Sequence, residues 1–261
     1  MPADSIKIAW SGLHFGEEPP LVGKKGAGTI FFSGCNMRCV FCQNWQISQG
    51  NIGKYYSPGE FKKMMLDLQN EGALNIDLVS PTIWAERIRQ PIAEAKKEGL
   101  KIPVVWNSNA CESTKILKSL EGLVDIYLPD FKYGDNEAAF KYSGAKEYVE
   151  RAKEALKEMV RQVGPENVIV RHMILPDNVE NSKRALERIK EISPDISLSL
   201  ISQYEPVYKA DKFPEINRNI SKKEFEEVFN YMSELGFSKG WVQDMESHGK
   251  FLPDFAKENP F

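Results

Sequence analysis

GTIFFSGCNMRCVFC, residues 28–42, is the stretch from which the rest of the chain can be read. Its opening residues (28–33, GTIFFS) make a short, nearly continuous apolar run, and three cysteines follow at once. A run of this kind reads as a strand buried on both faces, because a strand with one wet face alternates instead. The same pattern recurs at 75–79 (NIDLV), 102–107 (IPVVWN), 124–128 (VDIYL), 167–175 (NVIVRHMIL) and 195–201 (DISLSLI).

Helical patterns lie between these runs. Ser57 supplies an N-cap hydroxyl, Pro58 the first helical position and Glu60 the third, ahead of Phe61, Met64, Met65 and Leu68. Further helices fit 85–97, 113–120, 148–163 and 182–192. Ser221 with Glu224 makes a second capping box before Phe225, Val228, Phe229 and Met232. Strand and helix thus alternate about six times, which predicts a parallel α/β fold with right-handed crossovers. Six units are too few for an eight-unit barrel, and a partial barrel and an open doubly wound sheet both fit the pattern. With no linker in view, residues 1–243 read as one domain and 244–261 as a tail. In either arrangement chemistry gathers after the carboxyl ends of the strands. Those loops are 34–42, 80–82, 107–109, 130–132, 176–180 and 202–205, and one concave site is expected to receive them all.

Charge and composition narrow the class. A net charge of −3, spread along 261 residues, gives no electrostatic case for nucleic acid or an anionic membrane as partner. No long apolar segment or signal-like start is present, so a soluble, cytoplasmic protein is expected. Four cysteines are too few for a disulfide scaffold in a chain of this length. Three of them, Cys35, Cys39 and Cys42, sit on one loop with the spacing CxxxCxxC. Three such thiolates can each take one iron of a cubane and leave the fourth iron open, whereas electron-transfer sites fill all four positions. The alternative is a zinc site completed by Cys111, but structural zinc sites usually come as two close cysteine pairs, and Cys111 reads better as an inert buried thiol.

CxxxCxxC with aromatic Phe41 before its last cysteine resembles the signature of the radical S-adenosylmethionine (SAM) superfamily. The wider text GTIFFSGCNMRCVFCQNWQIS is similar to the pyruvate formate-lyase activating-enzyme-like branch, including its PflX-type members. The similarity continues through LVSPT, IYLPDFKY, YSGA, VIVRHMILP and SLISQY, over roughly residues 5–243. The resemblance implies a partial (β/α)6 TIM-like barrel. It also implies a [4Fe-4S] cluster on Cys35, Cys39 and Cys42, with S-adenosyl-L-methionine chelated at the open iron through its amino and carboxylate groups. Phe41 is then expected near the adenine. Ser80 and Thr82 stand where the family has a Gly-Gly-Glu stretch facing the SAM ammonium. Asn107-Ser108-Asn109 replaces an Asp-Thr-Asn-like segment, so that Asn107 stands where a monovalent-cation site has a charged ligand. Asp130-Phe131-Lys132 resembles Asp-Leu-Lys, with Lys132 suited to a carboxylate or ribose. Arg171 lies in an apolar strand and must meet an anion, Asp130 or the SAM carboxylate. His172 faces the other way, into the core. Gln203, Tyr204 and Glu205 are placed on the adenosine or substrate side, and Trp10, His14 and Trp45 read as packing.

The implied reaction is reductive SAM cleavage to a 5′-deoxyadenosyl radical that abstracts hydrogen from a substrate. The branch suggests a glycyl radical enzyme or other polypeptide as that substrate. A small metabolite is the alternative, and a non-catalytic iron–sulfur or zinc protein is the alternative of another class. The chain carries neither a ferredoxin-like insert of extra cysteines nor the cysteine-rich N-terminal stretch of longer PflX-type relatives. Electrons are therefore expected from an external flavodoxin- or ferredoxin-like donor. The tail, with Phe251, Phe255 and Phe261, is expected to cover the barrel mouth or pack on its flank. Anaerobic reconstitution should load about four irons and four sulfides per chain. Replacing Cys35, Cys39 or Cys42 by alanine should abolish that loading and Cys111→Ala should not, as iron and sulfide assays will show.

Overall fold

The computed structural model describes residues 4–243, 245 and 252–261. In chain order its elements are β1 (Ile6–His14), α1 (Pro19–Val22), β2 (Ala27–Phe32), α2 (Trp45–Ser48), β3 (Lys54–Tyr56), α3 (Pro58–Asn70), β4 (Ile76–Val79), α4 (Ala85–Lys97) and β5 (Val104–Ser108). There follow α5 (Thr114–Lys118), β6 (Ile126–Pro129), α6 (Asn136–Ser143), α7 (Tyr148–Val163), β7 (Ile169–Met173), α8 (Val179–Ile192), β8 (Ser197–Ile201), α9 (Lys222–Glu234) and β9 (Gly240–Val242). No described helix is long and apolar enough to cross a membrane.

The six apolar runs become β2, β4, β5, β6, β7 and β8, parallel throughout and adjacent in sequence order. One sheet has the order β3-β1-β2-β4-β5-β6 and the other β7-β8-β9. Two isolated parallel bridges, Tyr127 to Val168 and Asp130 to Arg171, join them across β6 and β7. The result is the arc of a partial barrel. Two departures from the six-unit reading stand at its ends. A seventh parallel strand, β9, pairs with β8. On the other edge β1 pairs antiparallel with β2, and β3 antiparallel with β1. The β1 segment escaped the apolar pattern because Lys7, Ser11 and Gly12 interrupt it, and because its register slips between Ile8 and Trp10. At three residues, β9 is too short for periodicity to register.

Strand alternation sorts the side chains. Ile30, Phe32, Ile76, Leu78, Val104, Trp106, Tyr127, Val170, Leu198 and Leu200 belong to the main core with the helices. Their neighbours face inward: Val105, Leu128 and Ile169 close around Leu21 of α1, which plugs the barrel floor. Asn75 Nδ2 donates to the Leu21 carbonyl at 2.7 Å and fixes that plug. Burial on both faces is why the strands read as continuous apolar text. Both predicted capping boxes form, at Ser57 with Glu60 and at Ser221 with Glu224.

The described part of the tail packs against the inner side of β1 and β2. Phe255 is buried with Phe31, Ile47 and Val79. The Phe261 ring centre lies 4.1 Å from His14 and 5.3 Å from Phe31. Gln46 on α2 ties the segment down, donating to Asp254 Oδ1 at 2.9 Å and accepting from Phe255 N at 2.8 Å. Phe251 lies outside the described residues.

His172 points outward as expected, fully buried, with Nδ1 2.7 Å from the Phe131 carbonyl and Nε2 unpartnered. Burial lowers its pKa from 6.5 to about 4. The folded state thus holds a neutral ring, and the unfolded state binds the extra proton. Stability from this group is complete above pH 6.5 and is lost as pH falls toward 4. By linkage the loss between pH 7.5 and 5 is about 2 kcal/mol. Urea midpoints at the two pH values should show it, and His172→Asn should remove that share of the pH dependence.

Candidate active site

The cysteine loop leaves β2 through Gly34, whose φ of +89° places it in the left-handed region. A Cβ there would also stand 2.6 Å from Ile83 Cδ1. Backbone bonds pin the loop to its surroundings: Arg38 N donates to the Ser143 carbonyl at 3.1 Å, Val40 N to Tyr142 O at 2.8 Å, and Lys209 N to Val40 O at 2.8 Å. Cys35, Cys39 and Cys42 line one end of a cavity of about 550 Å³ within the barrel. Each sulfur has a polar neighbour. Met37 N and Asn109 Nδ2 both donate to Cys35 Sγ at 3.4 Å, and Ser143 Oγ to Cys39 Sγ at 3.0 Å. Ser48 Oγ lies 3.2 Å from Cys42 Sγ.

Burial, reinforced by the neighbouring thiols, pushes Cys35 up to about 11 and Cys42 up to about 12. Burial raises Cys39 as well. As free groups these are neutral thiols, and only a bound cationic centre makes them thiolates at neutral pH. Among the described residues no three His, Cys, Asp or Glu side chains are arranged to hold a single metal ion. Three sulfurs on one loop, each beside an N–H or O–H group, fit the donor set of an iron–sulfur cluster, whose potential such hydrogen bonds tune.

Below the cysteines lies a charged network. Asp130 accepts from Lys132 Nζ at 2.7 Å and from Arg171 Nε at 2.6 Å. Arg171 Nη2 donates to Asn107 Oδ1 at 2.6 Å and Nη1 to Glu17 Oε2 at 3.1 Å. Asn107 Nδ2 reaches Glu17 Oε1 and Asp77 Oδ2, both at 3.4 Å. Burial works to raise Asp130, but Arg171 and Lys132 outweigh it and hold the carboxyl below its usual range. Burial raises Glu17 against the pull of Arg171. Asp77 is driven far up, by burial and then by Glu17. Tyr148 Oη steadies the loop, accepting from Lys132 N at 2.8 Å and donating to the Asp130 carbonyl at 2.9 Å.

Phe41, Ser80, Asn107, Ser108, Asp130, Lys132 and Arg171 line this cavity together with the three cysteines. Phe41 also packs against Tyr204, ring centres 5.6 Å apart. Ser80 holds φ +57°, a strained value for a non-glycine residue, with its N–H on the Asn107 carbonyl at 2.9 Å. Thr82 departs from the expectation. The 3-10 turn Thr82–Trp84 carries it away from the cavity, and its Oγ1 donates to buried Glu112 at 2.7 Å. The 176–180 loop departs too: it lies on the outer face against α9, where Asp177 N donates to Glu224 Oε1 at 2.6 Å. Gln203 lines the cavity, while Tyr204 is buried behind Phe41. Cys111 does not line it; its carbonyl accepts from Asn36 Nδ2 at 3.0 Å. Trp45 stacks on Tyr208 at 5.4 Å, and His14, read as packing, lines the cavity.

Sequence reasoning missed Glu17, Glu18 and Trp241, and the sulfur neighbours Ser143 and Ser48. The legible signal was the adjacent pair Glu17-Glu18 between the apolar 6–14 segment and Pro19-Pro20. Removing Asp130 leaves Lys132 without its ion-pair partner and takes one of two carboxylates from buried Arg171, so Asp130→Ala should destabilise the fold by about 3–5 kcal/mol in urea denaturation.

The family model of the Radical SAM superfamily matches residues 29–189. The "Uncharacterized protein MJ0674" of Methanocaldococcus jannaschii is 35% identical over 226 residues, which are 83% of this chain and 64% of that protein. The chain thus spans less than two thirds of that relative. Among solved structures, the FeFe-hydrogenase maturase HydG from Carboxydothermus hydrogenoformans is similar in fold, with TM-score 0.56 at 13% identity over 80% of this chain and 50% of HydG. A domain of pyruvate-formate lyase-activating enzyme from Bacteroides vulgatus matches at TM-score 0.40 and 9% identity, over 72% of this chain and 91% of that one. The family match runs from β2 through the cysteine loop and into α8, and with it the chain belongs to the radical SAM superfamily, whose members use a [4Fe-4S] cluster and SAM.

Proposed function

We propose that Cys35, Cys39 and Cys42 hold the [4Fe-4S] cluster and that the chain uses it to cleave SAM reductively, producing a 5′-deoxyadenosyl radical for hydrogen abstraction. The observation that carries this reading is the shared cavity: three cysteines at one end and the Lys132–Asp130–Arg171 network beside them. When bound and reduced, the cluster supplies the electron that breaks a sulfonium C–S bond. The chain's own residues bind and orient. Lys132 offers donors to an anionic group of SAM, and Asp130 fixes the position of Lys132. The Ser80 hydroxyl accepts from an ammonium. Phe31, Val79, Met173 and Ile201 line the cavity with apolar surface and exclude water, which a carbon radical requires.

The finer reading is installation of a glycyl radical in a partner protein. It is supported by the resemblance of residues 28–48 and the later strand-end motifs to activating enzymes, and by strand-end loops that add no separate domain over the barrel mouth among the described residues. In this reading a flavodoxin- or ferredoxin-like protein delivers the electron, and the enzyme works in the cytoplasm.

The test is an EPR experiment with dithionite-reduced, reconstituted protein, SAM and a glycyl radical enzyme of the same organism. A glycine-centred doublet that depends on this chain is the expected outcome. Abortive 5′-deoxyadenosine without any such doublet would retain SAM cleavage and remove the glycyl radical. Lys132→Ala should weaken SAM binding roughly 10- to 150-fold, the loss of one charge-assisted hydrogen bond, with iron content retained.

A further inference from the structure

The end of the cavity away from the cysteines carries groups that SAM cleavage leaves unused. Glu17 and Glu18 rise into it from the loop between β1 and α1. Glu18 Oε2 accepts from Ser199 Oγ at 3.0 Å and from Trp241 Nε1, both neutral donors. The charges can be paired off. Arg171 and Lys132 form their ion pairs with Asp130 and Glu17. Glu18 is left, and no described cation forms an ion pair with it. Burial raises the Glu18 carboxyl against the pull of Arg171, which makes no direct pair with it, so a ligand that brings its own cation is favoured there.

Two further atoms point to the same ligand chemistry. Thr29 Oγ1 and Asp77 Oδ1 are fully buried and have no partner. They are cross-strand neighbours in the β2–β4 register. Both face the barrel interior, two residues along the strand from Phe31 and Val79, which line the cavity. The remaining walls are aromatic: His14, Phe31, Trp241 and Phe261.

We infer that this end of the cavity is the substrate subsite and that it takes a primary ammonium group on an alkyl chain. Glu18 supplies the counter-charge, the aromatic rings cover the chain and favour a cation over their faces, and the unpartnered Thr29 hydroxyl accepts a remaining N–H donor. A quaternary ammonium has no N–H to give it, and a neutral alcohol has no charge for Glu18. The ammonium comes from a lysine side chain of a polypeptide or from a small alkylamine. The inference rests on SAM occupying the cysteine end.

The experiment titrates n-butylamine, tetramethylammonium and n-butanol into anaerobically reconstituted protein with SAM bound, at neutral pH, by calorimetry. Butylammonium should bind about 10-fold or more tighter than the other two, a difference of one charge-assisted contact. Glu18→Gln should remove that preference. Thr29→Val, nearly isosteric and safe for the fold, should weaken butylammonium severalfold without changing n-butanol. Acetyl-glycyl-lysine amide provides the second arm: tighter binding than butylamine assigns a polypeptide source, weaker binding a small amine, and both keep the ammonium. Equal binding of butylammonium and n-butanol, or wild-type butylammonium binding in both variants, would overturn the inference and leave Glu18 as a tie from the α1 loop to β8 and β9. SAM cleavage, assayed separately on the same wild-type sample as 5′-deoxyadenosine, reports on the reading beneath it.

Discussion

An arginine in the middle of an apolar strand is stable only if anions and other acceptors come to it, and in this protein acceptors come from three directions. Asp130 from β6, Glu17 from the loop after β1 and the amide oxygen of Asn107 from β5 converge on Arg171 of β7. The same place is a weak point of the architecture, since β6 and β7 are joined only by isolated bridges, one of them between Asp130 and Arg171. A charge-assisted pair therefore closes the seam between the two sheets. It also presents its remaining surface, with Lys132, to the cavity. The demands of the fold and of the site fall on one set of atoms, so the barrel holds its shape where the chemistry needs fixed geometry.

How much of this could be read beforehand follows from what sequence patterns encode. Strands buried on both faces and capped helices write themselves in composition, and so β2, β4, β5, β6, β7 and β8, α7 and the two capping boxes were legible. The cysteine spacing carried the family, since few other chemistries want three thiolates so close. Edge strands are less legible because β1 is half wet and β3 and β9 are short. Glu17 and Glu18 were hidden for the same reason: a loop acquires meaning only once the strand before it is known to cross the barrel end. Thr82 failed differently. Its motif position was right, but the turn after Pro81 rotates the hydroxyl out of the cavity to Glu112, a direction no linear pattern records.

The cavity divides its labour along its length. At one end the buried sulfurs meet neutral N–H and O–H donors, with the Lys132 cation acting on them from the network below. In the middle the carboxyls of Asp130 and Glu17 oppose the cations Lys132 and Arg171, so polar ligands are oriented without a large net field. At the far end the balance tips toward carboxylate within aromatic walls.

The attachment of residues 252–261 to Gln46 has a further meaning. Gln46 sits on α2, two residues before Ser48, whose hydroxyl touches Cys42 Sγ. The short helix is thus a lever with the cysteine loop on one arm and the C-terminal segment on the other. A thiolate at Cys42 would accept from the Ser48 hydroxyl and so fix that end of α2. The grip of Phe255 and Phe261 on β1 and β2 and the placement of the cysteine loop thus share one short helix.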